Sequence, residues 1–267
     1  MRLRDRIEKR RALCYNPTTM ENTDYTGLLP AVAEKIAPMI RDITGAAAAN
    51  IHSIHIVGSA VIADFNETLS DINSVVVLRD MDLKFIEFLA PLGKKYGRKR
   101  IAAPLIMTPE YILQSLDAFP VEFQDFKLIH KTVAGEDIFR GLDIPRQHLR
   151  LQCEREIKTR LLGLRQGYLA SLGEKKLLSE ALVRSITGSM ALFRAVIVLL
   201  GAEPPVMRRD VIGTFGAAAK IDTTVLTRLL MLKAKEIKPS EQELNALFER
   251  YYDALEAVGK IVNELHA

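Results

Sequence analysis

The residues best suited to chemistry lie between Ile51 and Arg79, in IHSIHIVGSAVIADFNETLSDINSVVVLR. The segment reads as a strand, a Gly58-Ser59 turn opening a short helix over 60–65, and a second strand carrying Asp71, Ile72 and Asn73. At Gly58 the missing Cβ lets the backbone approach a phosphate, and the Ser59 hydroxyl adds a donor. The first free N–H groups of a helix starting there favour an anion. In a strand, positions i and i+2 share a face, so Asp71 and Asn73 project together toward that phosphate. A hard Mg²⁺ ion, which prefers oxygen ligands, would then bridge the two side chains and a nucleoside triphosphate, ATP being the expected one.

This constellation resembles the DNA polymerase beta-like nucleotidyltransferase superfamily, whose signature is Gly-Ser, a spacer, then Asp-x-Asp. It looks most like the aminoglycoside adenylyltransferases of the kanamycin and streptomycin type, and also like predicted nucleotidyltransferases of unassigned substrate. Eleven residues separate Ser59 from Asp71, which fits the pattern. The chain departs from it twice. Ala63 and Asp64 stand where a second glycine is usual, and Asn73 stands in place of the second metal-binding aspartate.

The resemblance implies a third carboxylate on a later strand, facing the Asp-x-Asp pair and binding metal or taking the acceptor's proton. Phe119–Lys127 (FPVEFQDFK) reads as an extended stretch, and Glu122 and Asp125 are its acids. Three residues apart, they would point to opposite faces of a regular strand, so one can serve and the other cannot. Glu122, flanked by Val121 and Phe123, is preferred, and Asp125 is the reserve. Two acids on an exposed edge strand are the structural alternative.

Bulk properties frame these residues. The chain has 267 residues, enough for two cores, with 48% hydrophobic and 26% charged residues, the balance of a soluble globular protein. A net charge of +4, no Trp and seven Tyr argue against a surface built for nucleic acid. Cys14 and Cys153 lack paired-ligand spacing and read as reduced thiols. The charged N-terminus has no signal-peptide core, and the longest apolar run, Met190–Leu200, is interrupted by Arg194 and too short for a bilayer. A cytoplasmic protein with no membrane partner is expected.

The flanking elements follow from periodicity. Residues 1–26 read as a basic arm, with six basic and two acidic residues in the first eleven. Residues 27–145 read as a nucleotidyltransferase-type mixed sheet with helices over Leu28–Ile43 and Asp82–Tyr96. Lys94, Lys95, Arg98, Lys99 and Arg100 cluster after the second helix, as a solvated helix end or, more sharply, a triphosphate contact. His52 and His55 read as sheet-face residues rather than ligands. Residues 146–267 read as an antiparallel bundle of five helices, with no further strand. Its central member is a nearly all-apolar helix over Glu174–Leu200 with Arg184, Ser185, Ser189 and Arg194 as polar exceptions. Asp210 and Asp222 read as N-caps, and Ser240 with Glu243 as a capping box.

The fold class expected is therefore α+β, a small mixed sheet followed by an all-α bundle. By resemblance, the chain would transfer a nucleoside monophosphate from a nucleoside triphosphate to a hydroxyl of a small acceptor. Gly58 and Ser59 would bind phosphate, Asp71 and Asn73 would bind Mg²⁺, and Asp71, Glu122 and Asp125 form the catalytic set. The alternative is a catalytically impaired nucleotide-binding or protein-interaction member of the same fold, which the Asp-to-Asn change favours. The acceptor, the base preference and a homodimer are left open by the sequence.

Overall fold

The computed structural model describes residues 23–63, 65, 67 and 70–265. The basic arm up to residue 22, Cys14 and Asp64 lie outside the described residues. The chain is α+β, with a four-stranded mixed sheet and ten α-helices among the described residues. Spatial strand order is β3-β2-β1-β4, with β1 Ile51–Val57, β2 Asn73–Leu78, β3 Leu105–Met107 and β4 His130–Gly135. The central β1 pairs antiparallel with β2 and β4, and β2 pairs parallel with β3.

Side-chain alternation sends the two faces of this sheet to different cores. Ile54, Ile56, Val76 and Leu78 meet α1 (Pro30–Ala47) and α2 (Leu83–Gly97) through Val32, Ile36, Ile40, Phe85 and Tyr96. The opposite parity, Val57, Val75 and Val77, meets Ile112 of α3 (Pro109–Gln114), Phe123 of α4 (Pro120–Leu128), Phe139 and Leu142.

From Arg146 onward the described chain is helical: α5 Arg146–Ser171, α6 Lys175–Ile186, α7 Ser189–Leu199, α8 Arg208–Ala219, α9 Thr224–Lys233 and α10 Glu241–Glu264. These six helices enclose a third core. The expected central helix over 174–200 is two helices, bent by 47°. Thr187 is extended and Gly188 takes a φ of +74°, a conformation open to glycine at little cost, so the chain turns there and restarts. Eight of the eleven residues of α7 are buried, on more than one face, as its all-round apolarity requires. Asp210 lies in the first turn of α8 rather than at its cap, and Asp222 accepts from the Thr224 N–H just ahead of α9. The capping box at Ser240 and Glu243 is present. No single helix among the described residues is long and apolar enough to cross a membrane.

The largest correction concerns residues 119–127, which form α4 rather than a strand. Pro120 suits the first helical turn, Glu122 sits where the helix dipole favours an acid and Lys127 where it favours a base. Val121 belongs to the bundle core and Phe123 to the sheet core, so α4 is buried on two sides. An element packed on two sides has no single apolar stripe, which is why the Val-Glu-Phe alternation mimicked a strand. The fourth strand instead begins just beyond the expected one, at His130.

Candidate functional site at one edge of the sheet

Register places the Gly58 turn beside the acidic segment. Val57 stands opposite Asn73 on one side and His130 on the other, so the end of β1 and the beginnings of β2 and β4 share one edge of the sheet. The Gly58 N–H donates to the Ile129 carbonyl at 3.3 Å, which fixes the turn to the entry of β4. Gly58 has φ +71°, and among the described residues beyond its chain neighbours no atom lies within 4 Å of the place a Cβ would take. Space in front of its backbone is thus open, while a side chain there would be strained.

The turn is a four-residue 3₁₀ helix, Gly58–Val61, and not the longer helix expected to follow. Ile62 is already extended, with its N–H closing on the Ser59 carbonyl at 3.2 Å. Ser59 and Ala60 are buried, whereas Gly58 and Val61 stay partly exposed. An incoming anion would therefore meet the Gly58 end of the turn first.

Asp71 precedes β2 rather than lying within it, and Ile72 is held by a parallel bridge to Ile101. The Ile72 N–H donates to the Arg100 carbonyl at 2.9 Å, and its own carbonyl accepts from Ala102 at 3.0 Å. Asp71 and Asn73 are exposed while Ile72 is fully buried, the alternation expected of neighbours on one face. Asn73 shares the parity of Val75 and Val77, whose face is the one covered by α4. The Asp71 carboxylate forms an ion pair with Arg100 at 3.1 Å. Arg100 also donates through Nε to the Ser70 carbonyl at 3.3 Å. The basic cluster is thereby divided: Arg100 turns to Asp71, and Lys95 bonds to Asp42, which also accepts from Tyr96.

Neither later strand supplies a carboxylate, since β3 reads Leu-Ile-Met and β4 reads His-Lys-Thr-Val-Ala-Gly. The candidate acids sit on α4, where a spacing of three puts them on neighbouring faces and not on opposite ones. Their partners separate them. Glu122 is exposed and accepts from Gln152 Nε2 at 2.8 Å, while Gln152 Oε1 accepts from the Val121 N–H at 2.8 Å. Asp125 is bound to Arg194 of α7 at 2.9 Å. Arg194 is buried and also donates to the Pro205 and Val206 carbonyls, so it joins α4 to α7 and the loop beyond it. Burial pushes the Asp125 carboxyl above its ordinary range against the pull of Arg194. Of the two acids, Glu122 has the more accessible carboxylate.

A cluster not anticipated from sequence lies on the same sheet face. His55 is fully buried, with Nε2 2.8 Å from the Ser53 hydroxyl and Nδ1 2.9 Å from that of Thr132. Its ring packs on Phe139 with centroids 4.6 Å apart. Nearby, His130 Nε2 donates to Asp137 Oδ1 at 2.8 Å. Burial, reinforced by His130, lowers the His55 pKa from 6.5 to about 3. His55 therefore takes up its proton in the unfolded chain before the folded one as pH falls. Its contribution to stability is complete above pH 6.5 and is lost as pH drops toward 3. We expect the melting temperature to decline between pH 6.5 and 5, and His55→Gln to be less stable at neutral pH with a flatter decline. Parallel curves for the two proteins would refute this assignment.

The sequence matches no protein-family profile and no curated protein. Among solved structures, the fold is similar to that of spectinomycin adenyltransferase AAD(9) from Enterococcus faecialis, determined with ATP and spectinomycin. The TM-score is 0.50 at 14% identity, covering 85% of this chain and 98% of that one. The likeness is one of fold, over most of both chains.

Proposed function

We propose that the chain is a nucleotidyltransferase that moves a nucleoside monophosphate from a nucleoside triphosphate, ATP first among them, to a hydroxyl of a small acceptor. The observation that carries the reading is the register of Val57 with Asn73, which sets the open Gly58 turn beside Asp71 and Asn73. The similar fold of an adenyltransferase determined with ATP and spectinomycin supports the same class of donor and acceptor.

Asp71 and Asn73 offer oxygen donors on one exposed face, a set that suits Mg²⁺ in kind but carries one negative charge where the related signature carries two. These two residues would hold the ion, which supplies neutralising charge to the phosphates when bound. The Gly58 backbone would approach the phosphate chain, and Arg100 would leave Asp71 for it. The acceptor oxygen bonds to the α-phosphorus as the bond from that phosphorus to the bridging oxygen breaks, and pyrophosphate departs. The acceptor's proton passes to the Glu122 carboxylate, whose other role is to accept from Gln152.

Pyrophosphate release from ATP and Mg²⁺ tests this, with a panel of aminoglycosides and spectinomycin as acceptors. Release that rises with one acceptor supports the proposal. ATP binding by calorimetry without release for any acceptor would favour the second reading, a nucleotide-binding protein without transfer activity, for which Asn73 is the specific reason. Asn73→Asp should tighten Mg²⁺ binding several-fold by restoring a charge. Unchanged affinity would mean that these side chains do not face the ion.

A further inference from the structure

We propose that His55, His130 and Asp137 form a second cation site, for a borderline divalent ion of the Zn²⁺ class, separate from the Asp71 and Asn73 pair. One potential ligand atom from each residue lies within 4.8 Å of the other two. Two imidazoles and a carboxylate are a donor set that favours Zn²⁺ or Ni²⁺ over Mg²⁺.

His130 is held on one side only. Its side chain is only 9% exposed, its Nε2 meets Asp137, and its Nδ1 is buried with no hydrogen-bond partner among the described residues. Buried polar atoms are nearly always satisfied, so a ring left unpartnered on one side, beside another histidine and an aspartate, needs a cause. The two ring nitrogens point apart, so an ion shared with Asp137 binds on the Nε2 side, in place of the proton between them.

The surroundings suit an ion. His55 meets the Ser53 and Thr132 hydroxyls, and either hydroxyl can donate or accept. One ring nitrogen can therefore turn to a metal while the other donates its N–H to a hydroxyl, as metal-bound histidines usually do. Phe139 packs against both rings, 4.6 Å from His55 and 5.5 Å from His130, and gives the site an apolar wall. Bonds of about 2.0–2.2 Å set tetrahedral ligand atoms about 3.3–3.6 Å apart, so the most widely spaced of these atoms, within 4.8 Å, close by at most about 1.5 Å, while His130 Nε2 and Asp137, now 2.8 Å apart, open slightly. Asp137 can supply that movement because it is the most exposed of the three and lies beyond the end of β4.

Position suggests what the ion does. His130 pairs with Val57, the residue before Gly58. An ion shared by β1, β4 and the segment after β4 would brace the sheet edge on which the Gly58 turn rests.

The test is Zn²⁺ and Co²⁺ binding to untagged full-length protein carrying Cys14→Ser, which removes a competing thiol. We expect one equivalent of Zn²⁺ in competition with a chromophoric chelator, a rise in melting temperature, and intense visible bands for Co²⁺ in a four-coordinate site. His130→Gln and Asp137→Asn should each weaken binding at least tenfold, whereas His148→Gln and Asp71→Ala leave it unchanged. Asp137→Asn keeps the test valid if His130→Gln fails to fold. The proposal is overturned if no equivalent binds, if Asp137→Asn binds as the parent does, or if Asp71→Ala is the variant that loses Zn²⁺. Nothing in this outcome depends on nucleotide transfer.

Discussion

Alanine at Asp71 is expected to slow nucleotide transfer by about a thousandfold, since a metal clamp supplies several kcal/mol of charge stabilisation. Asp71 carries the one formal negative charge in the proposed Mg²⁺ pair, so its removal leaves Asn73 alone to hold the ion. The fold should be indifferent to the change. Asp71 has 55% of its side chain exposed, its partner Arg100 has 41%, and exposed ion pairs contribute at most about 1 kcal/mol. Pyrophosphate release should therefore collapse while the melting temperature stays within about 2–4 °C, the shift expected for 1 kcal/mol in a chain of this size. Arg100, released from Asp71, should leave metal-free ATP binding intact or tighter. A variant that retains a tenth or more of the parental rate would remove Asp71 from the chemistry.

Arg194→Met should cost about 3–5 kcal/mol, because breaking a buried ion pair leaves the opposite charge without compensation. Arg194 holds Asp125 and two backbone carbonyls, and its side chain is 5% exposed. Removing it strands all three acceptors, one on α4 and two in the loop after α7. A fall in melting temperature of roughly 10 °C is the expected readout. The double variant Asp125→Leu with Arg194→Met should recover much of that loss, since replacing both charges by apolar groups can be nearly neutral. If Arg194→Met alone shifts stability by less than 1 kcal/mol, the ion pair is not what fastens α4 to the bundle. The comparison also tests whether Asp125 serves the fold; Glu122, exposed and outside this ion pair, is the acid we propose for the chemistry.

Legibility from sequence followed the range of the interactions. The two helices on the sheet, the bundle's final helix and its capping box depend on neighbours within a turn or two, and such neighbours are visible in a linear string. The capping box is a local exchange between Ser240 and Glu243, and it formed as read. The break at Gly188 was also local, but a strong apolar run on either side concealed it. The strand and helix at 119–135 were misplaced for a different reason. Val121 and Phe123 are buried against separate cores, so their spacing reports two partners and no single period.

The sequence by itself determined the α+β class, the strand–turn–strand around Gly58, and the exposed alternation of Asp71 and Asn73. Each rests on backbone geometry that repeats every two or four residues. Tertiary structure alone decided that Arg100 neutralises Asp71, that Asp125 belongs to Arg194, and that His55, His130 and Asp137 converge. Those meetings join residues far apart in the chain. They are set by which strand edges pair and which helices pack, and no local spacing encodes them.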